Sequence, residues 1–263
     1  MSFEINMLKN FKTILTNKKI LVNNIYLFTF KLQDPAEISF IPGQYVILKV
    51  PKDGAYISRL YSISSSSQTK DTLELLVEII PNGLGSNYLD QLEINNGVIF
   101  QGPAGLFKLR DNNKQKVFFV TGTGIAPIRS ILNSNLKSPA SRGEQISNPH
   151  LKSQNYQFFW GLKTFKEVCL FDEFKQLAIN NQQLSFKICL SREKNLDSIP
   201  ETDRQYFDLG HVDSCFYKLA TSHQSLITNS DFYLCGGRNI VDSLRQGLLT
   251  KNISTDNIIF EKF

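Results

Sequence analysis

At 263 residues the chain is longer than one core comfortably fills and suits two compact domains. Its 41% hydrophobic and 20% charged residues are those of an ordinary globular protein, which excludes disordered and fibrous classes. A formal net charge of +5 favours acidic partners through long-range steering, but no Lys/Arg run with interleaved aromatics occurs, so nucleic acid is not an expected partner.

No apolar run approaches the roughly 18 residues that cross a bilayer, and the opening residues lack the apolar core and cleavage site of a signal peptide. The expectation is a cytoplasmic protein without membrane insertion. Cys169, Cys189, Cys215 and Cys235 are widely spaced, with no CxxC or CxH pair to supply neighbouring ligands, so no metal or iron-sulfur centre is expected.

From Phe11 to Lys108 short apolar or alternating segments are separated by Pro, Gly, Asn and Asp: ILVNNIYLFTFKL, GQYVILKV, RLYSISSS, TLELLVEII and GVIFQG. Such a texture predicts antiparallel strands, most simply in a small barrel or sandwich. One helix interrupts them where Tyr88, Leu89 and Leu92 share a face within Leu84 to Leu92. After the polar stretch Arg110 to Gln115 the texture changes to strands alternating with helices. The expected boundary gives residues 1–112 to the barrel and 113–263 to a doubly wound α/β domain with a parallel sheet. Its strands are predicted at Lys116–Val120, Gln157–Trp160, Ser185–Leu190, Asp231–Leu234 and Asn257–Phe260. Its helices are predicted at Ile125–Leu136, Leu170–Ile179, Ser214–Ala220 and Asn239–Leu249. Residues 137–154 are polar and aperiodic and read as a surface loop.

Within the first half, Arg59-Leu60-Tyr61-Ser62 carries the groups a flavin dinucleotide needs: a cation for the pyrophosphate, an aromatic surface and a small hydroxyl. Side chains alternate along a strand, so Arg59 and Tyr61 share a face while Leu60 is expected to turn into the core. Alone, RLYS is also just a strand with an exposed Arg and a half-buried Tyr. Its neighbours add weight: Pro42-Gly43-Gln44-Tyr45 before it, and Gly83-Leu84-Gly85-Ser86 and Gly102-Pro103-Ala104-Gly105-Leu106-Phe107 after it. Gly85 permits close backbone approach, and Ser86 begins a helix whose amides suit an anion.

In the second half, Gly122-Thr123-Gly124-Ile125-Ala126-Pro127 follows an apolar strand, placing glycines where a nucleotide phosphate meets a helix start, with Pro127 in the first turn. Tyr233-Leu234-Cys235-Gly236-Gly237 repeats that arrangement, and two such loops at strand ends face one crevice. Beyond another strand lie Ser191 and Arg192, and then Arg204 and Tyr206: a hydroxyl, two cations and a ring suited to a ribose 2′-phosphate and adenine. His150, His211 and His223 lack a nucleophile or carboxylate partner and read as ordinary surface histidines.

The order PGQY, RLYS, GLGS, GPAGLF, GTGIAP and CGG resembles that of the ferredoxin-NADP reductase superfamily over nearly the whole chain. The resemblance implies an FAD-binding barrel followed by an NAD(P)-binding domain. By that likeness Arg59 binds the pyrophosphate, Tyr61 packs on the flavin beside Leu60, Ser62 lies near its reactive nitrogen, and Gly85 with Ser86 makes a second phosphate contact. Gly122, Thr123, Gly124, Pro127 and Gly236 would cradle the nicotinamide dinucleotide. Cys235 would lie beside the nicotinamide, or else be a buried core thiol. Glu261 and Phe263 would assist and guard the ring, or else belong to a frayed apolar tail. Ser191, Arg192, Arg204 and Tyr206 resemble the pattern of NADP-using members, which favours NADP(H) over NAD(H). The implied activity is hydride transfer from NAD(P)H to FAD, then electron delivery to a separate acidic carrier such as ferredoxin or flavodoxin. An oxygenase component, a free-flavin, quinone or ferric substrate, and a relay subunit of a larger redox complex are the alternatives.

Overall fold

The computed structural model describes residues 8–136, 154–220 and 225–263. The expected loop at 137–154 therefore lies, but for Gln154, outside the described residues, as do His150 and His223. The contacts divide the chain into two compact units. The first holds the described residues up to Lys108 together with Ala126–Ser134, and the second holds those of Leu109–Ile125 and Asn135–Phe263.

In the first unit β1 (Lys9–Val22), β2 (Ile25–Asp34), β3 (Tyr45–Lys52), β4 (Ala55–Ser62), β5 (Thr72–Glu78) and β6 (Gly97–Ala104) form one antiparallel sheet. Its order is β4-β3-β6-β1-β2-β5. An antiparallel bridge from Ile63 to Leu75, just past the end of β4, draws the two outer strands together into a barrel. Apolar residues recur at every second position, so one face of each strand points inward; Phe28, Phe30, Val46, Leu48, Leu75 and Phe100 meet in a single core. The helix α1 (Leu84–Asp90) lies between β5 and β6 and contributes Leu89 to that core.

The first unit also includes most of α2 (Ile125–Asn135), a grouping no sequence pattern announces. Arg129, itself buried, donates to Glu74 Oε2 at 2.6 Å and to the Ser64 carbonyl at 3.0 Å. Ser130 donates to the Ser65 carbonyl at 2.7 Å, and the Ser67 amide donates to Ser134 Oγ at 2.9 Å. The serines that follow RLYS thus hold this helix by its polar face.

In the second unit β7 (Gln115–Thr121), β8 (Tyr156–Leu162), β9 (Leu184–Leu190), β10 (Phe207–Leu209), β11 (Ser230–Gly236) and β12 (Ile258–Lys262) form a parallel sheet of order β10-β9-β8-β7-β11-β12. All five expected strands are present, with bounds shifted by at most two residues. The three-residue β10 is additional, too short to show a period. One face of the sheet packs Val117, Phe119, Phe159 and Phe232 against α4 (Val212–Ala220) and α6 (Arg238–Thr250). On the other, Phe158 meets Phe174 of α3 (Phe171–Asn180) edge to face at 5.0 Å. A short helix α5 (Ser225–Thr228) precedes β11. The chain leaves β7 toward β8 on one side and returns with β11 on the other, so the switch in strand order lies at the carboxyl ends of β7 and β11.

Candidate functional site

Strand register fixes the candidate site of the first unit. Tyr61 pairs with Val46 and Arg59 with Leu48, both wholly buried on the inward face of β3, whereas Leu60 pairs with the half-buried Ile47. Residues directly opposite share a face, so Arg59 and Tyr61 lie on the inward side and Leu60 points out. Leu60 is 59% exposed, which corrects the expectation that it enters the core; β4 is a terminal strand of the sheet order, and Leu60 lies on its outward face. Tyr61 packs half-buried against the core, and burial pushes its hydroxyl up to about 12 against the lowering effect of Arg59. It is therefore a neutral hydrogen-bonding group at ordinary pH. The Arg59 guanidinium is exposed and donates to the Ser58 carbonyl at 2.9 Å, one of five donors in use. Ser62 ends the strand half-buried.

Gly85 of α1 meets this pair. A Cβ there would stand 2.6 Å from the Tyr61 hydroxyl and 2.9 Å from Arg59 Cγ, so only glycine lets the helix backbone approach them. Arg59, Tyr61 and Gly85 are thus one cluster: an exposed cation, an aromatic hydroxyl and bare backbone. This is the donor set that a pyrophosphate joined to a flat ring requires, and the residues fit FAD. Ser86 is buried, donates to the Gly83 carbonyl and accepts from the Ile80 amide, both at 3.3 Å. Its hydroxyl is engaged in the local turn.

The candidate site of the second unit is built from backbone. Gly122–Gly124 form a single tight helical turn between β7 and α2, and Pro127 is buried in the first turn of α2. A Cβ on Gly124 would stand 2.5 Å from the Cys235 carbonyl oxygen, so the β7 and β11 loops interlock through a contact only glycine allows. Every residue of β11 is buried. Cys235 is 1% exposed, and burial first, then the Glu261 charge, raises its thiol well above the ordinary cysteine range. Parallel pairing sets Cys235 against Glu261 and Gly236 against Lys262. Phe263 is 61% exposed, yet its amide donates to the Gly236 carbonyl and its carbonyl accepts from the Arg238 amide, each at 3.3 Å. The segment is a paired strand tied to the CGG loop rather than a frayed tail.

Ser191, at the end of β9, donates to the Leu162 carbonyl at 3.3 Å. Arg192 is exposed, and among the described residues no ion pair or hydrogen bond engages its side chain. Arg204 spends its Nε–H on the Ile199 carbonyl at 3.0 Å. Tyr206 stacks on Phe186 at 4.9 Å and 19°, and Phe186 stacks on Phe158 at 4.9 Å and 9°, making Tyr206 the half-buried outer ring of a three-ring ladder. Sequence reasoning missed three features of this unit. Lys116 and Asp231, both wholly buried, pair at 3.0 Å near the start of β7 and β11. Cys189 and Cys215 interact, and that interaction, with burial, raises the Cys189 thiol above the ordinary cysteine range. Trp160 donates to the Gly122 carbonyl. Among the described residues no cluster of His, Cys, Asp and Glu could hold a metal ion, and no helix is long and apolar enough to cross a membrane.

Residues 12–109 match the model of an oxidoreductase FAD-binding domain, and residues 118–246 match that of an oxidoreductase NAD-binding domain. The chain belongs to the ferredoxin-NADP reductase superfamily. Among the superfamily's curated members, the propane 2-monooxygenase reductase component of Mycolicibacterium goodii is 25% identical over 242 residues, covering 91% of this chain and 64% of that protein. Ferredoxin-NADP reductase B of Sorangium cellulosum is 27% identical over 219 residues, covering 83% of this chain and 82% of that protein. Among solved structures, the Amycolatopsis cytochrome P450 reductase superposes with a TM-score of 0.80 at 22% identity, over 97% of this chain and 70% of that one. The chain spans 60–64% of the length of the oxygenase reductase relatives it matches first.

Proposed function

We propose that the chain is an FAD-dependent NAD(P)H oxidoreductase that passes electrons to a separate acceptor. The observation that carries this reading is the pair of sites built by different means. A cation, a neutral tyrosine and bare glycine backbone are gathered on β4 and α1, and two glycine turns interlock at the ends of β7 and β11. Bound FAD supplies hydride acceptance from the nicotinamide and release of electrons one at a time.

Everything else asked of the protein is binding and alignment. Arg59 holds the pyrophosphate, with the Gly85 and Ser86 backbone as the second contact. Tyr61 lies against the flavin with its hydroxyl protonated, and Leu60 and Ser62 flank it. Gly122, Thr123, Gly124, Pro127 and Gly236 receive the coenzyme's phosphates. Cys235 stays a neutral thiol, so it positions the nicotinamide and does not attack it. Glu261 and Phe263, tied to the same loop, complete that side. NADPH is favoured over NADH because Arg192, next in sequence to Ser191, offers an exposed guanidinium with no partner among the described residues, while Arg204 retains further donors and Tyr206 presents one ring face to adenine. The acceptor is an acidic carrier such as ferredoxin or flavodoxin, drawn by the chain's positive charge. A second reading, supply of an oxygenase component, is favoured by the names of several relatives.

A dye-reduction assay on the FAD-loaded chain tests the proposal. Rapid NADPH-dependent turnover is expected. A protein that cannot be loaded with FAD overturns it, and a yellow protein with negligible turnover points instead to a relay subunit.

A further inference from the structure

Trp160 is the single tryptophan of the chain and is 1% exposed. It lies near the carboxyl end of β8, paired in register with Val120 of β7, so the β7 chain leaves the sheet two residues later beside it. Its ring meets Phe174 edge to face at 6.0 Å, packing that a phenylalanine would largely reproduce. What phenylalanine lacks is the indole N–H, and here that group donates to the Gly122 carbonyl at 2.9 Å. The same carbonyl accepts from the Ile125 amide, which closes the tight turn. Both of its lone pairs are therefore engaged, and the Gly122–Thr123 peptide plane is held from two directions.

A trans peptide is planar, with its C=O and N–H pointing opposite ways. A carbonyl fixed toward Trp160 therefore turns the Thr123 amide away from it. Gly122 has a φ of +53°, and such a left-handed residue followed by a helical turn forms a backbone nest whose amides converge on an anion. A Cβ on Gly122 would meet no atom within 4 Å, so the glycine serves the backbone angle and not a tight contact.

We propose that Trp160 is a positioning residue for the coenzyme: its indole N–H orients the Gly122–Thr123 peptide and so aims the Thr123 amide at the dinucleotide pyrophosphate. The proposal rests on the reading above that the Gly122–Gly124 turn receives that pyrophosphate. The competing account is that the Gly122 carbonyl merely satisfies a buried indole. The two differ in which ligands feel the loss of the bond.

With one tryptophan in the chain, expression in a tryptophan auxotroph fed β-(3-benzothienyl)alanine changes residue 160 alone, replacing N–H by sulfur at nearly constant shape. Dissociation constants for NADP⁺, NAD⁺, ADP-ribose and 2′-AMP are then measured by calorimetry on the FAD-loaded protein. Losing one buried hydrogen bond is expected to weaken the three pyrophosphate ligands alike, by roughly fivefold to tenfold. 2′-AMP, which has no pyrophosphate, should be unaffected. Unchanged constants for the pyrophosphate ligands, or an equal loss for 2′-AMP, overturn the proposal. If the substituted protein does not fold, native protein labelled with ¹⁵N-tryptophan gives one indole resonance. That resonance should exchange slowly with solvent and move on adding ADP-ribose but not 2′-AMP; a resonance indifferent to ADP-ribose overturns the proposal. Failure of the native protein to bind any dinucleotide would instead overturn the functional reading, and this proposal with it.

Discussion

The β4 strand and the ends of β7 and β11, the two candidate sites, are built by opposite means. On β4 the candidate groups are side chains on an outer strand: Arg59 exposed, Tyr61 half-buried, Leu60 turned outward. At the ends of β7 and β11 the strands are buried almost throughout, and the candidate groups are backbone shaped by glycine and by a carbonyl that accepts from Trp160. The lesson is that a side-chain site can lose affinity without losing stability, whereas a backbone site is inseparable from the fold beneath it.

The sharpest test of that contrast is a change far from any ligand. Lys116→Met takes its ammonium partner from the wholly buried Asp231 carboxylate, leaving the Asn112 amide at 2.9 Å on one oxygen and Arg110 at 3.9 Å from the other, which has no hydrogen bond. Breaking a buried pair from one side should cost about 3–5 kcal/mol of stability, read by denaturant unfolding. The double change to apolar residues at both positions should recover most of it. A Lys116→Met protein of native stability would show that the β7–β11 frame does not depend on this pair.

Arg59→Ala should do the reverse. We expect FAD affinity to fall by about 2–3 kcal/mol, the range for a hydrogen bond to a charged group, with the melting temperature of the flavin-free protein unchanged. Full flavin retention on a desalting column would refute the pyrophosphate assignment.

Much of this was legible in the sequence, and the reasons differ by region. Runs such as KVFFV and the alternation in IYLFTFKL reveal strands because burial on two faces or on one imposes those patterns. Motif order singled out RLYS with GLGS in the first unit and GTGIAP with CGG in the second. The outward turn of Leu60 was missed because strand parity alone does not say which face is the core; pairing with Val46 and Leu48 does. The bonds of Arg129 to Glu74 and Trp160 to Gly122 join residues 55 and 38 positions apart, a proximity that no local pattern encodes.

A smaller effect separates the coenzymes. Arg192→Ala should raise the KM for NADPH roughly thirtyfold, about 2 kcal/mol, and that for NADH far less. Equal effects on both would remove Arg192 from the role.

The smallest expected effect is one of pH. Burial raises Tyr156 and Cys169 of the second unit to about 12, and Cys235 is raised as well, while Tyr61 is the counterpart in the first. Groups raised on folding keep their protons when the unfolded chain has lost them, so stability is full below the ordinary cysteine and tyrosine values and falls as pH rises above them. Each group contributes a slope of at most about 1.4 kcal/mol per pH unit in that window. Alkaline melting should therefore soften the second unit before the first, seen as earlier exchange of its amides. Simultaneous loss of both units would blur the comparison.

The central claim is that a nicotinamide coenzyme reduces a flavin held by this chain. Anaerobic titration of the FAD-loaded protein with NADPH, followed through the flavin's visible absorption, tests it most directly. The account predicts bleaching complete near one equivalent, with NADH needing a larger excess. An absorption band that persists with both coenzymes would contradict it.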